Sequence, residues 1–157
     1  MKLEGSCHCG AVRFSVDSDE PYPYMHCYCS VCRKTAGGGG YAINLGANFA
    51  SLVIEGEDNL AVYRVRSDTH EDGLRQARRN FYKLCGSALW VFDPRWPELV
   101  HPFASAIDTA LPAPPETVDI MLGSKANWAA AAAGEGPARF DEYPVESLAE
   151  WHRRHGL

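Results

Sequence analysis

The sequence predicts a mainly β fold of short strands joined by short turns, with a helix near the C-terminus. The 157 residues include 14 Gly and 10 Pro, a content typical of loop-rich β proteins. Several segments alternate polar and apolar side chains with a period of two, which indicates half-buried strands. Hydrophobic residues make up 46% of the chain, enough for one ordinary core, and we expect residues 1–157 to form a single domain.

Alternation and a high content of β-branched and aromatic residues predict strands along most of the chain. The predicted strands and extended segments are residues 10–17, 24–26, 41–45, 52–54, 60–65, 87–92, 101–106 and 117–122. Turn-forming residues at 46–48 and 55–59 separate neighbouring strands in the middle of the chain. Strands joined by such short turns favour antiparallel pairing.

Helices are predicted at residues 31–36, 124–133 and 146–155. Ser30 is suited to cap the first helix, and the glycines at 37–40 end it. The second contains a run of alanines and is followed by Gly134. In the third, Leu148 and Trp151 lie on one face, and basic residues near its C-terminal end suit the helix dipole.

All six cysteines fall into three tight groups. These groups are Cys7 with Cys9, then Cys27, Cys29 and Cys32 with the spacing C-x-C-x-x-C, and finally Cys85. Cysteines two residues apart rarely bridge each other, because a disulfide needs Cα atoms roughly 4.4–6.8 Å apart and a defined torsion. Zinc accepts closely spaced thiolates at about 2.3 Å, so the spacing predicts zinc as the cofactor. For the isolated Cys85, an ordinary buried thiol is the alternative.

The first possible metal site combines Cys7 and Cys9 with the distant Cys85. A metal joining them would close a loop of roughly 75 residues, which indicates a structural clasp. A closed structural zinc has four ligands, and the fourth is expected three residues before Cys85. Tyr82 occupies that position and is a poor zinc ligand. His8, His26, a water molecule or the absence of a metal are the open alternatives.

The second possible site is formed by Cys27, Cys29 and Cys32. Three protein ligands with a free fourth position are typical of a reactive zinc. Three thiolates and one Zn²⁺ carry a net charge of −1, which suits a zinc that holds a substrate thiol rather than one that activates water. The alternative is a structural site completed by His26 or by a cysteine of the other set.

Charge and hydropathy exclude several kinds of partner. The net charge is −5 and the pI is about 5.6, so we expect no nucleic-acid partner. No apolar run reaches the ~18 residues that a membrane span needs, so we expect no membrane partner. The N-terminal segment MKLEGSCHCG lacks the apolar region of a secretory signal. We therefore expect a cytoplasmic protein, in which reduced thiols favour metal binding.

Several segments together resemble the glutathione-dependent formaldehyde-activating enzyme family, which includes the centromere protein V domain. The matching segments are Gly5–Val12, Cys27–Lys34, Phe81–Ser87, Ser124–Trp128 and Arg139–Pro144. They span nearly the whole chain, and the three cysteine groups in this order are the specific part. The resemblance implies an Mss4-like fold of antiparallel sheets around two zinc ions. It assigns Cys7, Cys9 and Cys85 to a structural zinc, and Cys27, Cys29 and Cys32 to a catalytic zinc.

The implied activity is the condensation of glutathione with formaldehyde to S-hydroxymethylglutathione, a reaction of the carbon–sulfur lyase class. The glutathione thiol would take the free position, lose its proton and attack the aldehyde carbon. Candidates for holding the carboxylates of glutathione are Arg33, Lys34, Arg78 and Arg79, with solvated surface charge as the alternative for each. A zinc-stabilised binding module without catalysis and a thiol-based redox or zinc sensor are the other two hypotheses.

Overall fold

The computed structural model describes residues 1–131 and 138–157, and this described part contains twelve β-strands and two α-helices. The strands are β1 (Lys2–Ser6), β2 (Arg13–Asp17), β3 (Tyr24–Cys27), β4 (Ala42–Asn44), β5 (Ala47–Asn48), β6 (Val53–Glu55), β7 (Leu60–Tyr63), β8 (Arg78–Tyr82), β9 (Ala88–Phe92), β10 (Leu99–Pro102), β11 (Thr117–Ile120) and β12 (Ala138–Arg139). The helices are α1 (Ser30–Ala36) and α2 (Leu148–Arg154). The predicted mainly β class is confirmed. No helix in the described ranges is long and apolar enough to cross a membrane.

The strands form three sheets. The first has the order β1-β2-β6 and the second the order β5-β10-β9-β8-β7, and both are antiparallel as expected. The third has the order β12-β11-β3-β4, in which β11 pairs parallel with both β3 and β12. Parallel pairing requires a long connection rather than a tight turn, and the chain between β3 and β11 supplies it. Periodicity alone does not reveal such a pairing.

Among the described residues, two hydrophobic clusters form the core, and each one contains part of one cysteine set. The first surrounds Leu3, Phe14 and Trp90 and includes Cys7. It requires a glycine at position 5, because a Cβ there would lie 2.4 Å from the Ala106 carbonyl oxygen. The second cluster includes the buried residues Cys27, Cys32, Val91, Phe103, Val118, Ile120 and Trp151. Burial of each large apolar side chain stabilises the fold by about 1.5–3 kcal/mol, so the buried cysteines Cys7, Cys27 and Cys32 lie in well-packed parts of the structure.

The C-terminal helix agrees with the sequence prediction, although it is shorter. Ser147 caps α2 in a reciprocal arrangement with Glu150, which sets its start two residues after the predicted one. Trp151 is 3% exposed, and its indole N–H donates to Glu116 Oε2 at 2.9 Å. Trp151, on the predicted apolar face of this helix, therefore packs into the protein interior.

The helix predicted over residues 124–133 is wrong for the part that is described. A 3-10 turn ends at Ser124, and residues 125–131 form no helix. The amino group of Lys125 donates to the carbonyls of Ala126 and Ala129, which gives these backbone groups partners without helical hydrogen bonds. Helix propensity of an alanine run is a weak preference that such contacts override. Residues 132–137, with Gly134, lie outside the described residues.

Candidate metal centres

The inner triad, defined as Cys27, Cys29 and Cys32, is assembled by the end of β3 and the start of α1. The three sulfur atoms lie within 4.8 Å of one another. Cys29, rather than the predicted Ser30, caps the helix, and its sulfur accepts the backbone N–H of Cys32 at 3.3 Å. The first helical turn therefore brings Cys32 back towards the two cysteines that precede it.

The inner triad fits a zinc ion by its donors and by their spacing. Zinc–sulfur bonds of about 2.3 Å in a tetrahedron place ligand sulfurs about 3.8 Å apart, a spacing that fits three sulfurs lying within 4.8 Å of one another. Among the described residues, no fourth Cys, His, Asp or Glu donor atom joins the group within the same distance. The His26 ring is instead hydrogen-bonded to Asp119, with 3.1 Å between Nδ1 and Oδ1, and it stacks on Tyr41.

The electrostatics of the inner triad favour the thiolate form of one cysteine. Hydrogen bonds from the thiols of Cys27 and Cys32 hold the pKa of Cys29 well below its usual value, and backbone N–H groups add to this effect. The same contact with Cys29 raises the pKa of Cys27. A guanidinium nitrogen of Arg79 lies 3.9 Å from the sulfur of Cys32. A metal bound here would displace the remaining thiol protons, because its ligands must be thiolates.

The inner triad lines a cavity of about 810 Å³. This volume is typical of small-molecule binding sites. Other side chains in its wall include Met25, Arg75, Arg79, Arg95, Trp96, His101, Phe140, Tyr143 and Trp151. More of the wall surface is apolar than polar, and its acidic side chains are Asp93 and Glu146, against the three arginines. The cavity thus offers an apolar enclosure with cationic groups near a cluster of thiols.

Two residues of the cavity wall that sequence reasoning missed are Arg95 and His101. Asp93 is 4% exposed and receives hydrogen bonds from Arg95 Nε and Nη2, the shortest at 2.7 Å. Burial of Asp93 opposes ionisation, but the bonds from Arg95 outweigh it and lower the pKa of this carboxyl. His101 Nδ1 lies 3.1 Å from the Leu45 carbonyl oxygen and therefore donates to it. Burial lowers the pKa of His101, so its ring is neutral near pH 7.

The four basic side chains singled out in the sequence are separated in the structure. Arg79 lines the cavity and contacts the inner triad. Its neighbour Arg78 lies over the Phe92 ring, with 6.0 Å between the guanidinium carbon and the ring centroid. Successive residues of a strand face opposite sides, which explains this divergence. Arg33 and Lys34, in α1, are not among the residues that line the cavity.

The outer triad, defined as Cys7, Cys9 and Cys85, joins two turns that are distant in sequence. Its three sulfurs also lie within 4.8 Å of one another, with 3.6 Å between Cys7 and Cys9. The first turn is closed by Gly10, which donates to the Cys7 carbonyl and has a positive φ of 75°. In the second turn, Gly86 donates to the Tyr82 carbonyl at 2.9 Å.

Ser87 connects the two turns of the outer triad. Its hydroxyl oxygen accepts the backbone N–H of His8 at 3.0 Å and lies 3.2 Å from the sulfur of Cys85. Hydrogen bonds from the hydroxyl and the backbone N–H of Ser87 lower the pKa of Cys85 to about 6. The spacing and the thiolate character suit zinc at this site as well. His8 is exposed and does not join the group of sulfurs.

Tyr82 lies at the end of β8, next to the outer triad. It is 6% exposed and packs into the first hydrophobic cluster. Burial raises the pKa of Tyr82, and the nearby thiols of Cys9, Cys7 and Cys85 raise it further. Strand β8 therefore reaches both sites, with Arg79 at the inner triad and Tyr82 at the outer one. A register shift between β8 and β9 at Asn80/Phe81 lies between these two residues.

The fold and the two sites define a mainly β protein with two sets of three cysteines, each suited to zinc. The chain belongs to the family described as glutathione-dependent formaldehyde-activating enzyme, whose model matches residues 2–123. A relative from Halomonas elongata named "Putative glutathione-dependent formaldehyde-activating enzyme" is 58% identical over 158 residues, which cover 100% of this chain and 98% of the relative.

A solved crystal structure of a Rhodobacter sphaeroides protein has a similar fold. The TM-score is 0.55 and the sequence identity is 28%, and the match covers 71% of this chain and 92% of the other. The family membership predicted from the cysteine groups is thus confirmed.

Proposed function

We propose that this chain is a zinc-dependent enzyme that joins glutathione and formaldehyde to form S-hydroxymethylglutathione, a reaction of the carbon–sulfur lyase class. The observation that carries the proposal is the position of the inner triad in the wall of the 810 Å³ cavity. Three cysteine ligands leave one position of a tetrahedral zinc for an external ligand. The family and the name of the Halomonas relative support glutathione as the source of that ligand.

The inner triad and Arg79 together suit a thiol substrate. A zinc ion held by the three cysteines would supply positive charge that favours the thiolate form of a bound thiol. Three thiolates and Zn²⁺ carry a charge of −1, and the guanidinium of Arg79, 3.9 Å from Cys32, offsets it. In this proposal Arg79 acts on the sulfur chemistry rather than on a distant carboxylate.

Binding of the remainder of glutathione is assigned to other parts of the cavity. Arg75 lines the cavity and is exposed, so its guanidinium is accessible to a carboxylate at the cavity mouth. Arg95 is already held by Asp93 and stacks on Trp96, which suits it to shape the wall. Binding of a carboxylate stays a prediction from the sequence for Arg33, Lys34 and Arg78.

The reaction needs no oxidant or reductant. The sulfur of glutathione forms a bond to the carbon of formaldehyde, and the electron pair of the carbonyl double bond moves to oxygen. That oxygen takes up a proton, so the proton lost by the thiol is balanced by the new hydroxyl group. His101 lines the same cavity and carries its ring proton on Nδ1, which leaves Nε2 as an acceptor. We assign both halves of this transfer to His101, whose Nε2 takes the proton from the thiol and then gives it to the new hydroxyl oxygen.

The test is the rate of adduct formation above the spontaneous reaction. Exchange NMR at equilibrium measures the interconversion of glutathione and S-hydroxymethylglutathione directly. We expect the zinc-loaded protein to accelerate this exchange and Cys29→Ser to abolish the acceleration. Thr35→Ala is the matched control, because Thr35 lies on α1, is exposed and is not among the residues that line the cavity. Full acceleration by a folded Cys29→Ser protein contradicts the proposal, and binding of glutathione without acceleration supports a binding module instead.

A further inference from the structure

The outer triad differs from the inner triad in exposure to solvent. Cys9 and Cys85 are exposed, whereas Cys27 and Cys32 are 5% and 4% exposed. A metal held by the exposed sulfurs is therefore accessible to water, chelators and small thiols. Only Cys7, which is 1% exposed, anchors the outer triad in the core.

Position 82, where a fourth ligand would complete the outer triad, holds a tyrosine that packs in the hydrophobic core. Tyr82 and Cys85 belong to one turn, in which Gly86 donates to the Tyr82 carbonyl at 2.9 Å. A cysteine at position 82 would bring a fourth thiolate to this turn, since zinc-binding turns commonly carry two cysteines three residues apart. The Tyr82 ring is instead buried in the first hydrophobic cluster, and its hydroxyl lies within hydrogen-bond reach of Cys9.

Hydrogen bonds to the outer sulfurs come from neutral groups. Val12 donates its backbone N–H to Cys7 at 3.3 Å, and the Ser87 hydroxyl contacts Cys85. The inner triad has the cationic Arg79 in the equivalent role. Within the described residues, no fourth Cys, His, Asp or Glu donor joins the outer sulfurs. Among the residues that the structure describes, the outer site is thus short of a ligand, and no cationic side chain donates a hydrogen bond to its sulfurs.

We propose that the outer triad is an open three-thiolate zinc site, whose fourth ligand comes from solution and from which zinc exchanges much faster than from the inner triad. The ligand class is a water molecule or a small thiol. Tyr82 packs beside the metal without binding it. This proposal concerns metal exchange alone and does not depend on the proposed reaction.

The experiment follows zinc release from the fully loaded protein into a chromogenic chelator. We expect two phases of one equivalent each, with the faster phase at least about tenfold faster than the slower. Cys85→Ser should remove the fast phase and leave the slow one. Tyr82→Cys should slow the fast phase by supplying the fourth thiolate, and Tyr82→Phe should leave it unchanged. Leu84→Ser is the matched control, because Leu84 neighbours Cys85 and is 79% exposed.

Three results overturn the proposal. The first is a single slow phase that releases two equivalents of zinc. The second is a native chain that binds only one zinc and a Cys85→Ser variant that still binds it. The third is faster release or loss of zinc in Tyr82→Phe, which would make the phenol oxygen a ligand. Tyr82→Cys loses a buried ring, so its fold is checked first by circular dichroism.

A second measurement decides the question even if Tyr82→Cys does not fold. In ¹¹³Cd NMR of the native chain, the resonance that Cys85→Ser removes reports the outer site. We expect this resonance to move when a small thiol is added, in the native chain and in Tyr82→Phe alike. A resonance that ignores the thiol shows a closed site and contradicts the proposal.

Discussion

The guanidinium of Arg79, on β8, lies 3.9 Å from the sulfur of Cys32, on α1. This contact links the five-stranded sheet to the inner triad and places a positive charge beside the thiols. An arginine stays protonated throughout the working pH range. Its charge therefore favours thiolates at the inner triad whether or not they bind a metal.

We expect Arg79→Ala to lower kcat/KM for the reaction with glutathione about tenfold, which corresponds to roughly 1.4 kcal/mol of transition-state stabilisation. The loss of positive charge beside Cys32 is the reason. Arg79→Lys should restore part of the activity, because a lysine keeps the charge but not the geometry of the guanidinium. Steady-state kinetics under conditions where the spontaneous reaction is subtracted measure the effect.

Arg78→Ala is the comparison for Arg79→Ala, since the two residues are neighbours on one strand and contact different groups. We expect a smaller effect from Arg78→Ala, whose guanidinium lies over Phe92. Zinc content is measured for both variants, so that a loss of metal is distinguished from a loss of rate. Equal losses of activity in the two variants would argue against a specific role for Arg79.

We expect removal of the contact between Asp93 and Arg95 to lower the stability of the fold measurably. Arg95→Ala removes the side-chain bonds to a buried carboxylate, although the backbone N–H of residue 95 still donates to Asp93. Because the Arg95 side chain is 55% exposed, solvent screens the pair, and we expect a loss of about 1–2 kcal/mol. Urea denaturation measures the free energy of unfolding. The exposed Arg153→Ala should change it by less than about 0.5 kcal/mol, and an equal effect would contradict this assignment.

Because His101 is buried as a neutral ring, we expect the free energy of unfolding to depend on pH. Burial lowers the pKa of His101 in the folded protein, so the unfolded chain binds more protons as the pH falls. The stability that depends on the neutral ring is present above the ordinary histidine pKa of about 6.5 and is lost as the pH falls below it. We expect the free energy of unfolding to decrease between about pH 7 and pH 5.

His101→Asn is the matched variant, because its amide N–H can still donate to the Leu45 carbonyl. Protonation of the cysteine ligands affects both proteins in the same pH range, so the difference between their slopes isolates His101. We expect a shallower decrease in His101→Asn. Parallel curves for the two proteins would show that His101 does not carry this dependence.

Zinc at the outer triad should stabilise the fold, because it joins two turns separated by roughly 75 residues. By analogy with other cross-links of long loops, we expect about 3 kcal/mol. For a chain of this size, this corresponds to an increase in Tm of roughly 6–12 °C on loading with zinc. Calorimetry of the metal-free and loaded proteins measures the shift. An equal shift in Cys85→Ser would assign all of it to the inner triad.

The sequence revealed the parts of the fold and the site that depend on local spacing. The cysteine groups predicted both triads, and alternation at Phe14 and Val16 predicted β2, because such patterns repeat over a few residues. The parallel pairing of β11 with β3 depends on contacts between residues far apart in the chain, which periodicity does not contain. The absent helix after Ser124 shows how contacts of Lys125 override helix propensity.

Long-range contacts also explain which site residues were missed. Arg95 follows β9 and His101 lies in β10, and they line one cavity with the inner triad only after the sheets pack. Nothing in the spacing of either residue suggests a site. The different contacts of Arg78 and Arg79 likewise depend on the position of β8 relative to α1, which the sequence does not show. The resemblance to the family supplied the fold, whereas the structure shows that only Arg79 of the four basic candidates lines the cavity with the inner triad.

The most direct test of a thiol site at Cys27, Cys29 and Cys32 is native mass spectrometry of the zinc-loaded chain with and without glutathione. We expect a glutathione adduct that depends on zinc, is present in the native chain and in Thr35→Ala, and is lost in Cys29→Ser. A folded Cys29→Ser chain that retains the adduct, or a zinc-loaded native chain that forms none, would contradict the assignment of the glutathione site to these cysteines.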